Sequence, residues 1–238
     1  MSADPKDPVR EEAHIPVARR TTVGAPVLTE ARDALIVVDV QRDFCPGGSL
    51  PVPGGDEVIP VINRIVPFFG RWVYTRDWHP ANHISFSDSP EYRDGSWPPH
   101  CVQNTPGADW CATLDMPMNA ILVSKGDDPG REAYSAFQVD RFDLAQLLRL
   151  RRVERLFITG LATEYCVRQT TLDALAAGFT VYLLEDAVRG ISPEGAASAL
   201  REMREAGAIV ISSDQLEDSG ERPAAAYDEH GNPVEHDD

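Results

Sequence analysis

The chain has 238 residues, 42% of them hydrophobic and 25% charged, enough for one large α/β domain or two small ones around a buried core. A formal net charge of −16 argues against a nucleic-acid partner, and no apolar run approaches the roughly 20 residues of a membrane span. Residues 1–20 are polar and lack the apolar core of a signal peptide, and four cysteines make no disulfide framework, so the expected compartment is the cytoplasm.

Residues 1–30 carry proline and charge without periodicity and read as an extended or disordered arm. A folded domain is expected over 31–213. Its first strand is the β-branched run from Ala34 to Asp39, and a helical pattern follows from Asp56 to Phe69. Arg71 to Arg76 and Ala120 to Lys125 give the next two strands, and Val139 to Leu150 the second helix. A fourth strand over Arg155 to Gly160 leads into a helix from Glu164 to Ala177, with Thr163 as N-cap and Gly178 in the C′ position. Thr180 to Leu184 is the fifth strand. The last helix, Pro193 to Ala206, has Ser192 as N-cap, proline at its first position and Gly207 beyond its end. Ala208 to Ile211 closes the series. The stretch 214–238 holds nine acidic residues against one basic, Arg222, and reads as a mobile acidic tail. The strands are short and apolar on both faces, as in a parallel sheet covered on both sides. Strand–helix alternation therefore implies a doubly wound α/β fold, in which ligands bind at the carboxyl ends of strands.

Chemistry-bearing residues fall at those ends. Asp39 and Lys125 each close an apolar strand, and Cys166 lies in the first turn of the helix after the fourth strand. At a helix N-terminus the unpaired N–H groups and the macrodipole favour a thiolate and can hold an oxyanion. Each residue also has a plain alternative: a turn carboxylate for Asp39, a snorkelling lysine for Lys125, a small buried thiol for Cys166. Together they suggest a set in which the carboxylate is base for the thiol and the lysine keeps the pair ionised. Asp77, His79, His83 and His100 recur within 24 residues, in a spacing that suits one divalent metal with open positions, against the alternative of surface-loop histidines. Zinc, iron and manganese all accept such ligands. Phe44, Leu50, Trp97 and Tyr134 sit in loops near these groups, where they could wall a flat ring or simply pack. Cys45, Cys101 and Cys111 read as structural.

The segments ALIVVDVQRDFCPGGSLPVPGG, TRDWHPANHISF, GSWPPHCVQNTPGA, SKGDDPGREAYSAF and ITGLATEYCVRQTTLDALAAG together resemble the nicotinamidase (pyrazinamidase/nicotinamidase) branch of the isochorismatase-like cysteine hydrolases, from about Ala34 to about Ser212. The resemblance implies a three-layer α/β/α sandwich with a mostly parallel sheet. It implies Asp39, Lys125 and Cys166 as catalytic residues. Asp77, His79 and His100 become metal ligands, with His83 an optional fourth and zinc the favoured ion. It implies a non-proline cis peptide at Leu161–Ala162, with the Ala162 and Cys166 N–H groups as oxyanion hole. Phe44, Leu50, Trp97, Tyr134 and Tyr165 fall at ring-pocket positions, Tyr165 where some relatives carry histidine. The implied activity is hydrolysis of nicotinamide to nicotinate and ammonia through a thioester, in pyridine nucleotide salvage, by a chain free to form a homo-oligomer. Two readings stand beside it: a related hydrolase for another small amide or carbamoyl compound, and an inactive metal-dependent binding protein with an unreactive Cys166.

Overall fold

The computed structural model describes residues 24–92 and 95–223. The arm expected before residue 24 and the tail expected beyond 223 lie outside the described residues. In chain order the elements are β1 (Val27–Leu28), β2 (Asp33–Val38), α1 (Val58–Ile65), β3 (Trp72–Asp77), β4 (Ile121–Lys125), α2 (Leu144–Leu150), β5 (Arg155–Leu161), α3 (Arg168–Ala176), β6 (Thr180–Arg189), α4 (Pro193–Glu205), β7 (Ile209–Ile211) and β8 (Leu216–Glu217). Six strands form one parallel sheet in the order β4-β3-β2-β5-β6-β7.

Alternation along the central strand sets the layers. Leu35 and Val37 of β2 point into a core shared with Ile59, Ile62 and Ile65 of α1. Ala34, Ile36 and Val38 point into the opposite core, with Leu144 and Leu148 of α2, Ala174 of α3 and Met203 of α4. Every residue of β2 is buried, so both faces are covered, as the run of apolar residues implies. The result is the expected three-layer α/β/α sandwich. The chain leaves β2 toward β3 on one side and later returns to add β5 on the other. The order reverses between β2 and β5, and a crevice opens outside their carboxyl ends.

Helix ends follow the sequence in part. Ser192 caps α4 by accepting from Gly195 N–H at 3.1 Å. Gly178 and Gly207 take positive φ and close α3 and α4, with Phe179 N–H donating to Ala174 and Ala208 N–H to Met203. The helix expected from Val139 starts only at Leu144, because the Asp143 side chain caps it through Gln146 N–H at 2.8 Å. Thr163 is not a cap. It opens a π-helical turn, Thr163–Val167, whose first carbonyl acceptor is Ala162: Tyr165 N–H at 3.0 Å and Val167 N–H at 3.2 Å both donate to it. β6 also runs on past Leu184 to Arg189.

The expected borders at 31 and 213 fall inside packed structure. β1 pairs in parallel with β8, so residues before 31 and after 213 hold each other. Arg222 extends the contact with an ion pair to Asp218 at 2.9 Å and a donation to the Pro67 carbonyl, while Pro223 packs on Gly70. Acidic composition outweighed this short pairing in the sequence, which is why 214–223 read as tail.

Candidate active site

The crevice at the strand switch gathers the polar groups. Asp39 follows β2 with φ 49°, a left-handed conformation that aspartate enters more readily than most residues. Thr75 holds it there: its hydroxyl donates to Asp39 Oδ1 at 2.6 Å and accepts from Asp39 N–H at 3.2 Å. Thr75 and Asp77 are two apart on β3 and share a face, which carries Asp77 up beside Asp39. Asp77 in turn stands in register with Lys125 at the end of β4. Lys125 is wholly buried. Its ammonium lies 2.9 Å from Asp39 Oδ2, donates to Asp77 Oδ1, and donates to Cys166 Sγ at 3.2 Å. The snorkelling alternative for Lys125 is thereby ruled out. Sequence reasoning had named Asp39 as its partner; the structure adds Asp77.

Burial dominates the electrostatics. It pushes the Cys166 thiol well above its usual range; Lys125 opposes this, and Asp39 and Asp77 reinforce it. Burial and the two carboxylates thus oppose the thiolate that a helix N-terminus alone suggests. Asp39 is raised by burial against the pull of Lys125. Asp77 is held low despite burial, by Lys125 and then His79. Lys125 stays charged because its two carboxylates outweigh desolvation. Asp39 Oδ2 has the ion pair but no hydrogen-bond partner.

Asp77, His79 and His100 bring one ligand atom each to within 4.8 Å of one another, all three residues being buried. His79 Nδ1 lies 2.8 Å from the Gly126 carbonyl and His100 Nδ1 lies 2.8 Å from the Pro98 carbonyl. A carbonyl can only accept, so each Nδ1 carries hydrogen and, in the neutral ring, each Nε2 keeps its lone pair. This donor set fits a divalent ion. His83 is arranged differently. Its Nδ1 accepts from Ser85 N–H at 3.3 Å and its Nε2 faces the Arg131 carbonyl at 3.2 Å, while His79, His83 and Glu132 also bring one ligand atom each to within 4.8 Å of one another. Asp39, Asp77 and Cys166 also converge, but the Lys125 ammonium already stands among them as their cation.

Gly126 is the tight point of this arrangement. Its φ is +67°, and a Cβ there would lie 2.4 Å from the His79 ring. Gly126→Ala is expected to displace His79 and weaken metal affinity by about 10- to 100-fold, read by competition with a chromophoric chelator. Affinity equal to wild type would show that His79 is not held through Gly126.

All five expected ring-pocket residues, Phe44, Leu50, Trp97, Tyr134 and Tyr165, line one apolar pocket with Asp77, His79, His100, Ala162 and Cys166. The Trp97 indole donates to Tyr134 Oη at 3.2 Å and meets the Tyr165 ring edge-on at 4.9 Å. Burial pushes the Tyr134 phenol up to about 12, so it stays protonated. The Leu161–Ala162 peptide is cis. Trp97→Ala removes the most buried ring of this wall and is expected to raise KM roughly 10- to 100-fold with a smaller change in kcat. A KM within about twofold of wild type would take Trp97 out of the wall's binding role.

Several pocket residues escaped the sequence reading. Val52, Glu132 and Ile191 complete the lining. Glu132 lies two residues before Tyr134, and period-2 spacing in an extended loop would have found it. Gln41, two residues past Asp39, braces the site: its amide donates to the Asp77 carbonyl at 2.8 Å and accepts from Asp77 N–H at 2.7 Å. Thr75 also went unnoticed, although a threonine two places before a buried aspartate is such a signal.

A parallel doubly wound sheet with a buried thiol, two carboxylates and an ammonium at its switch point defines a class of α/β protein with a small-ligand site at the strand ends. Within that class the chain belongs to the isochorismatase family, whose profile, described as "Isochorismatase domain", matches residues 33–215. It is 40% identical over 197 residues to the nicotinamidase of Acinetobacter baylyi, covering 76% of this chain and 92% of that protein. The crystal structure of the pyrazinamidase of Pyrococcus horikoshii in complex with zinc superposes with a TM-score of 0.70 at 53% identity, covering 76% of this chain and 99% of that one. PnC1 from L. infantum in complex with nicotinate gives a TM-score of 0.74 at 36% identity, covering 81% and 98%.

Proposed function

We propose that this chain hydrolyses nicotinamide to nicotinate and ammonia as a metal-dependent cysteine amidohydrolase. One observation carries the reading: the Cys166 thiol, with Asp39 and Lys125 against it, forms part of the same pocket wall as the Asp77, His79 and His100 donors. The relatives named above act on or hold compounds of this type, as their names state.

A divalent ion held by Asp77, His79 and His100, zinc by the example of the Pyrococcus protein, would supply a Lewis-acidic contact for the ring nitrogen. The protein's own groups do the rest. Phe44, Trp97, Tyr134 and Tyr165 sandwich the ring and set the carboxamide over Cys166. Asp39 takes the thiol proton as Sγ bonds to the amide carbon. The backbone N–H groups of Ala162 and Cys166 stabilise the oxyanion. Asp39 returns the proton to the departing ammonia, then accepts one from the water that hydrolyses the thioester. Lys125 remains charged throughout and pulls against the burial that raises Asp39, favouring the carboxylate that takes the thiol proton. The protein works in the cytoplasm, in nucleotide salvage. Among the described residues no helix is long and apolar enough to cross a membrane.

Purified protein with nicotinamide is expected to release ammonia. Chelation is expected to stop release, and added zinc, iron or manganese to restore it. No ammonia from the metal-loaded wild type would overturn the proposal; release from another small amide or carbamoyl compound instead would favour the related-hydrolase reading.

A further inference from the structure

Two cysteines outside the catalytic group face each other. Cys45 and Cys111 are 66 residues apart in sequence, yet their sulfurs lie 2.9 Å apart. Each is carried by backbone that is tied down. Cys45 N–H donates to the Arg42 carbonyl at 3.2 Å and Cys111 N–H to the Val40 carbonyl at 3.0 Å. Gln41 bridges antiparallel to Trp110, and Arg42 N–H donates to the Asp109 carbonyl at 2.9 Å. The sulfurs are therefore presented to one another by two segments already laced together. A disulfide needs about 2.05 Å between sulfurs, so closure calls for an approach of less than about 1 Å.

The two thiols are unequal. Cys45 is buried, and Cys111 is part-exposed and reachable from solvent. The hydrogen bond from Cys45 lowers the Cys111 thiol and, with burial, raises that of Cys45. The remaining cysteines differ. Cys101 is fully buried, and burial holds its thiol well above the usual range. Cys166 points into the ligand pocket.

We infer that Cys45 and Cys111 are a reversible oxidation site, which a hydroperoxide converts into a disulfide that staples the pocket-bearing segment to the 109–111 segment. Cys111 sulfur attacks the peroxide: an S–O bond forms, the O–O bond breaks, and one water (or alcohol) leaves with the thiol proton. Cys45 sulfur then attacks the sulfenic sulfur; the S–S bond forms, and the hydroxyl departs as water with the Cys45 proton. The peroxide takes up two electrons, one from each sulfur. A dithiol reverses the step by exchange. The consequence lies next door: Phe44 precedes Cys45, and Phe44, Leu50 and Val52 of the same segment form one wall of the pocket. The staple fixes that wall without using Cys166.

Treat the metal-loaded full chain with equimolar hydrogen peroxide, block residual thiols by alkylation, and map the unreduced digest by mass spectrometry. The expected product is a peptide pair joined through Cys45 and Cys111, lighter by two hydrogens. Oxidation is expected to raise Tm by about 5–10 °C, reversibly with dithiothreitol, and not to do so in Cys111→Ser, whose activity without peroxide matches wild type. Recovery of Cys45 and Cys111 as separately alkylated thiols or separate sulfinic acids overturns the inference. A joined pair with no rise in Tm overturns the stapling.

Discussion

Cys166→Ala is expected to lower kcat/KM for nicotinamide by about 10^4-fold or more, while ligand and metal still bind. The side chain is the one thiol among the described residues lining the pocket, and it accepts from Lys125. Removing it leaves Asp39 and the oxyanion donors with no covalent partner for the amide carbon. The change deletes one atom from a buried position, so the fold should persist. Steady-state ammonia release gives the rate, and isothermal titration with nicotinate gives the retained affinity. Turnover within about tenfold of wild type would remove Cys166 from the chemistry and favour water as the direct nucleophile. A wild-type thiol that alkylates with an ordinary pKa near 8.5 would support the inactive binding protein instead.

Lys125→Met is expected to cost both function and fold. The methionine fills similar space, but Asp39 and Asp77 are then left buried side by side without their shared cation. Leaving a buried charge uncompensated costs about 3–5 kcal/mol, which for a chain of this size is a fall in Tm of roughly 10 °C. Part of the cost is relieved when one carboxylate takes a proton. Its pKa is then raised in the folded state, so the folded protein binds more protons than the unfolded one, and stability falls as pH rises. The Tm deficit against wild type should therefore widen with pH. Activity should fall by about 10^2- to 10^4-fold, because a protonated Asp39 cannot accept the thiol proton. Differential scanning calorimetry at two pH values tests the stability arm; a deficit independent of pH would mean that Asp39 and Asp77 do not share Lys125 in solution.

The sheet was legible because its strands are buried on both faces, and runs such as Ala34 to Val38 have no other stable home. The rule that ligands sit at strand ends then places Asp39, Lys125 and Cys166 together from the sequence alone. Local deviations were not legible. The π-helical turn at Thr163–Val167 depends on Ala162 accepting two N–H groups, which helix periodicity does not encode. The pairing of β1 with β8 joins two-residue segments too short to signal a strand. The upward push on the Cys166 thiol was not legible because its sequence context shows the helix end but not the two carboxylates and the burial around it. Spacing alone could not show that His83 contacts the Arg131 carbonyl and Ser85 while also lying close to His79 and Glu132.

The ammonium that Asp39, Asp77 and Cys166 hold in common also bears on how this site can change over generations. A substitution at Lys125 alone strands two anions, and one at Asp39 alone alters the charge balance around the ammonium. Losing Lys125 together with Asp39 should be milder than losing Lys125 by itself, a strongly non-additive pair. A single-step path that removes Lys125 first runs through an intermediate worse than either end. Lineages that leave this chemistry would then be expected to shed the lysine and a carboxylate jointly, or to lose the carboxylate first.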